Sequence, residues 1–109
     1  MELTKSEKRI CREIIERGLQ NEFIEGLSKA DKILKDWENN KKDNRDSYHA
    51  LYKQITNFDK HIAKRYDCIR GSDYLFIIGA QLHDGIISED DLKEFSEEKI
   101  AAIKMIADY

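Results

Sequence analysis

The sequence predicts an all-α protein of four helices: a long N-terminal helix, a second helix and a compact C-terminal helix pair. Three observations predict it. The 109 residues include no Pro and five Gly, so almost nothing interrupts a continuous helix. Apolar residues recur at three-to-four spacing along most of the chain. Charged residues make up 38% and apolar ones 40%, the balance of amphipathic helices rather than of turn-rich β structure. A chain of this length makes one domain, spanning 1–109.

Thr4-Lys5-Ser6-Glu7 reads as a capping box, in which the Thr hydroxyl takes an orphan backbone N–H and the Glu reaches back to the cap. A helix over about 4–38 follows. Its stripe of Ile10, Cys11, Ile14, Ile15, Leu19, Phe23, Leu27, Ala30, Ile33, Leu34 and Trp37 keeps helical spacing for about eight turns. Gly18 and Gly26 each weaken it by up to about 1 kcal/mol, without a Pro or turn cluster beside them to mark a break. Residues 39–46 form the linker, rich in Asn and Asp, which favour turns and tolerate left-handed backbone.

Asp46 or Ser47 is then the cap of a second helix over about 47–67, with an apolar-aromatic stripe of Tyr48, Leu51, Tyr52, Ile55, Phe58, Ile62 and Tyr66. At 100° per residue Asp59 falls inside that stripe, within about 20° of Tyr48 and Tyr66. A carboxylate among apolar neighbours is costly without a cation or hydroxyl donors. Either this face stays wet, or it meets a second helix across a two-fold axis and Asp59 finds a basic residue there. The long first helix also points to a homodimer, because its far end has little of its own chain to cover it.

The pair over about 72–108 starts at Ser72, the expected cap of the apolar run Tyr74–Leu82. That run is apolar on nearly all sides and belongs in the core. Ser88, followed by Glu89, Asp90 and Asp91, is the expected cap of the last helix, with a local break near Ser96; Leu92, Phe95, Ile100, Ile103 and Ile106 face inward.

Leu82-His83-Asp84-Gly85-Ile86-Ile87 followed by Ser88-Glu89-Asp90-Asp91 looks like half a calcium-binding EF-hand loop. Calcium takes six to eight oxygens. In that register the first, third and fifth ligand positions are Ala80, Leu82 and Asp84, and the last is the short Asp91. Too few oxygens remain, so the stretch reads as a helix-to-helix turn with Gly85 in the left-handed position past a helix end.

No other motif promises chemistry. His49, His61 and His83 share no ligand spacing, Cys11 and Cys68 lie 57 positions apart, and no nucleophile elbow or phosphate loop occurs. The chain is expected to bind no metal or cofactor and to be no enzyme. Its N-terminus is charged where a secretory signal is apolar, and no run reaches 18 apolar residues. A cytoplasmic protein with reduced thiols and no membrane contact is the expectation.

Net charge is −3, yet residues 39–70 carry 8 basic and 4 acidic groups whereas 71–109 carry 3 and 9. The basic 39–70 segment allows an alternative reading as a small nucleic-acid-associated helical protein. The net acidity argues against it, since phosphate contacts want a basic domain.

The C-terminal half carries a further pattern: Lys64-Arg65-Tyr66-Asp67, Arg70, Ser72, Phe76, Ala80-Gln81-Leu82, Gly85-Ile86-Ile87, the acidic pair before Leu92, Phe95, Lys99 and Ile103-Lys104. Together with length and helix order, it resembles the fluorescence recovery protein family of cyanobacteria. The resemblance implies a non-enzymatic, all-α homodimer that acts in photoprotection. Such a regulator binds photoactivated orange carotenoid protein and speeds its return to the dark-adapted form.

The family's patch on the second helix, around the dimer interface, aligns with His49, Tyr52, Lys53 and Asp59, and an aromatic of its partner-binding head aligns with Phe76. All four patch residues differ from the family's Trp, His, Asp and Arg. The acid and base appear in exchanged order, Lys53 with Asp59, which preserves the charges of an intersubunit pair while changing the partner-specific surface. A family Lys near the C-terminus aligns with Ala102.

Overall fold

The computed structural model describes residues 2–109. It contains four α-helices, two short 3-10 helices and no strand among the described residues. Helix α1 runs Lys5–Glu38, α2 Asn44–Tyr66, α3 Tyr74–His83 and α4 Glu97–Asp108, with 3-10 turns at Gly71–Asp73 and Glu89–Leu92. The chain divides into two compact units, one of Met1–Asn21 with Cys68–Tyr109 and one of Glu22–Asp67.

α1 opens on the expected capping box: Thr4 N donates to Glu7 Oε1 at 2.9 Å and Glu7 N to Thr4 Oγ1 at 3.1 Å. In the first unit its Cys11, Ile14 and Ile15 are buried together with Leu75, Ile77 and Ile78 of α3, Ile86, Ile87, Leu92 and Phe95 of the connection, and Ile103 and Ala107 of α4. This is the only group of fully buried large apolar side chains among the described residues.

α3 belongs to that core, as its composition implied. It also buries Gln81, whose Nε2 donates to the Ile15 carbonyl at 3.1 Å. Gly18 makes the room, since a Cβ there would lie 2.2 Å from Gln81 Nε2. Gly79 likewise lets α4 close in, its absent Cβ falling 2.4 Å from Ile106 Cγ2.

Several caps differ from the sequence expectation. α2 starts at Asn44, capped by Asp43, whose Oδ1 accepts from Asp46 N at 2.7 Å. Ser47 is buried instead, its hydroxyl donating to the Lys42 carbonyl at 3.5 Å. The turn before it closes tightly through Asn40 at φ 58°, with Lys41 N donating to Asp36 O at 2.9 Å, so fewer residues are spent on the linker. Ser72 lies within the 3-10 turn Gly71–Asp73, and the local cap there is the pair of bonds between Arg70 and Asp73. Ser88 caps the turn Glu89–Leu92; α4 proper begins after Ser96, whose Oγ accepts from Lys99 N at 3.3 Å. The break foreseen near Ser96 is therefore a new helix start.

The EF-hand-like stretch is a helix exit. Gly85 sits at φ +72°, Ile86 N donates to Gln81 O at 2.9 Å and Gly85 N to Leu82 O at 3.1 Å, the double bond pattern of a left-handed helix stop. Asp91, at the last ligand position of the loop, accepts from Ser88 N at 2.8 Å and from Arg17 at 2.9 Å. The backbone bond from Ser88, with help from Arg17, holds its carboxyl below the usual aspartate range.

A candidate docking site: the open groove of the α1–α2 hairpin

The second unit is a hairpin made of the distal part of α1 and all of α2. It contains no fully buried large apolar side chain; Glu22, Gly26 and Ser47 are its buried residues. The reason lies in the angle between two faces of α2. Residues toward α1, namely Ser47, Leu51, Gln54, Phe58, His61 and Arg65, centre about 110° away around the helix from the stripe of Tyr48, Tyr52, Ile55 and Asp59. α2 therefore meets α1 with one edge of its apolar face and leaves the rest uncovered. Tyr48 is accordingly 68% exposed, Tyr52 65% and Ile55 55%.

α1 does the same. Its ridge of Phe23, Leu27, Ala30 and Leu34 lies on the same side of the hairpin, with Leu27 71% exposed. Between the ridges run two successive hollows. One, of about 320 Å³, is bounded by Phe23, Leu27, Ala30, Ile55, Phe58 and Asp59; the other, of about 290 Å³, by Ile33, Leu34, Trp37, Tyr48 and Leu51. Gly26 sets the floor, because a Cβ there would lie 2.8 Å from the Phe58 ring, and Phe58 packs edge-on against Phe23 at 5.9 Å.

The hairpin is pinned at both ends by polar bonds. At the turn, Trp37 Nε1 donates to Asn44 Oδ1 at 2.8 Å. At the other end the buried Glu22 carboxylate accepts from His61 Nε2 at 2.6 Å, from Arg65 at 3.3 Å and from the Tyr66 hydroxyl. Three donors on one carboxylate offset the cost of burying it. This cluster was missed in the sequence, although a signal existed. Glu22 lies on the same arc of α1 as Ile15 and Ile33, within about 20°, the same test that singled out Asp59.

The four patch residues on α2 are all exposed, but they do not share one face. Tyr52 and Asp59 flank the groove. His49 lies about 80° around from Asp59, its ring 6.1 Å from that of Tyr48 and tilted 58° to it, and Lys53 lies about 120° around, on the outer side with Lys60 and Lys64. Phe76 belongs to the other unit. It is 64% exposed and shares a hollow of about 170 Å³ with Leu3, Ser72, Ala102 and Ile106. The structure thus brings together Phe76 and Ala102, positions that the sequence considered separately.

Comparison with protein-family models, curated proteins and solved structures gives no match to this chain. No helix among the described residues is long and apolar enough to cross a membrane.

Proposed function

We propose that this protein is a non-enzymatic, helical regulatory homodimer of the fluorescence recovery protein type that acts by binding another protein. The observation that carries the reading is the groove of Glu22–Asp67. A two-helix hairpin whose ridges expose Leu27, Tyr48, Tyr52 and Ile55 by more than half needs a second layer to bury them. A continuous apolar patch of this kind on a small chain marks a protein–protein contact. A second hairpin of the same shape supplies that layer and completes four helices around one core.

The Phe76 hollow lies in the other unit. Orange carotenoid protein is the partner that the sequence resemblance names; of the aligned patch residues Tyr52 and Asp59 flank the groove, His49 and Lys53 lie around the helix from it, and Phe76 aligns with the partner-binding head. The reading is tested by two measurements. Size-exclusion with light scattering gives a mass about twice 12.8 kDa; a monomer at high micromolar concentration refutes the dimer. Mixed with photoactivated orange carotenoid protein, the chain accelerates the red-to-orange absorbance change, and an unchanged rate at excess protein refutes that partner.

A further inference from the structure

Asp59 has no hydrogen-bond or ion-pair partner among the described residues, yet it sits on the apolar arc of α2 between Ile55 and Ile62. Arg45 is likewise without such a partner. It lies in the first turn of α2, about 40° around from Asp59 and about 21 Å away along the axis, beyond reach within one chain. Every other cation of α2 outside the Glu22 cluster (Lys53, Lys60 and Lys64) points about 100° or more away from Asp59. Along the α1 ridge from Phe23 to Leu34 the groove-facing positions carry no cation.

We infer that the groove is occupied by a second copy of this chain in an antiparallel α2-to-α2 arrangement centred on Tyr52, in which Asp59 pairs with Arg45 of the partner subunit. The inference rests on the dimer proposed above and fixes its geometry. Residues 45 and 59 are equidistant from 52, so a two-fold axis beside Tyr52 brings each Asp59 opposite one Arg45, twice per dimer. At an antiparallel crossing of about 20° the helices diverge by only a few Å over the two turns from the axis, within the reach of an Arg side chain. Because Gly26 lies against Phe58, the same axis sets Ala30 of one copy near Leu34 of the other, ridge on ridge. The other face-to-face two-fold stacks α1 on the partner's α2. It sets Asp59 against the Phe23–Leu27 ridge with no cation, which leaves a charge uncompensated in a desolvated contact. The geometry also replaces Lys53, the base that the sequence pairs with Asp59, by Arg45.

Sedimentation equilibrium on charge-reversed chains tests this, with circular dichroism to confirm that each still folds. Asp59→Arg and Arg45→Asp each raise the dimer dissociation constant about tenfold or more by opposing like charges, and the double exchange restores it to within about threefold. Lys53→Asp does not rescue Asp59→Arg. Tyr52→Cys in a Cys68→Ser chain forms a disulfide-linked dimer under mild oxidation, as a residue on the axis must. Rescue of Asp59→Arg by Lys53→Asp, or unchanged dissociation in both single variants, overturns the pairing while leaving the dimer standing. A wild-type chain that stays monomeric at every concentration overturns both.

Discussion

Glu22 of α1 and His61 of α2 are joined by a 2.6 Å bond between Oε1 and Nε2, and that carboxylate is 5% exposed. In a hairpin with no buried apolar core, this polar cluster and the Trp37–Asn44 bond at the opposite end fix the register of the two helices. Glu22→Ala leaves the Arg65 guanidinium, 16% exposed, without its carboxylate. The expected loss is about 3 kcal/mol, against about 1 kcal/mol for Glu22→Gln, which keeps the shape and one acceptor. Urea denaturation measures it; equal losses for the two variants would show that charge is irrelevant.

The groove makes a separate prediction. Leu27→Glu and Ile55→Glu change residues more than half exposed in one chain, so the unfolding of the monomer shifts by no more than about 0.5 kcal/mol. In a dimer the same carboxylates are desolvated, and association weakens by about a hundredfold. Light scattering across a dilution series reads the difference.

The two thiols should behave oppositely. Cys11 is buried, and burial together with the nearby Glu7 pushes its thiol up to about 11, whereas Cys68 is exposed. The reactive species is the thiolate. At pH 8 an aromatic disulfide reagent therefore titrates one thiol promptly in the native protein and two after denaturation. Prompt reaction of both native thiols contradicts the Cys11 environment.

The helix exit at Gly85 and the turn cap at Asp91 give a linked pair of tests. No atom lies within 4 Å of where a Gly85 Cβ would stand, so Gly85→Ala costs only the left-handed backbone, about 1 kcal/mol, and Gly85→Val somewhat more. Asp91 has a depressed folded pKa, so its contribution is complete above the unfolded carboxylate value of about 3.9 and disappears as pH falls below it. Asp91→Asn should flatten stability against pH below about pH 4, and added calcium should shift neither protein's melting temperature.

Which parts of this were legible beforehand depended on how local the physics was. Thr4 with Glu7, Gly85, and the three-to-four spacing of α1 are interactions within one or two turns, and each appears in the sequence at its own position. The helix starts that were misplaced, at Asp43 and at Ser96, lay beside rival residues of equal propensity. Asp46 and Ser47 compete for the first and Ser88 for the second, and the choice fell to tight closure at Asn40 and to where Leu92 and Phe95 could be buried.

By itself the sequence determined the helical class, the long first helix and the oddity of a carboxylate in the α2 stripe, because periodicity and capping are written residue by residue. Only the tertiary structure decided which arc of α2 turns toward α1. Gly26 admits the Phe58 ring and Glu22 gathers His61, Arg65 and Tyr66, and these contacts between residues 32 to 44 positions apart rotate α2 so that its apolar stripe looks outward. A helical wheel contains the stripe but not its direction, since direction is set by the close approach of a second helix.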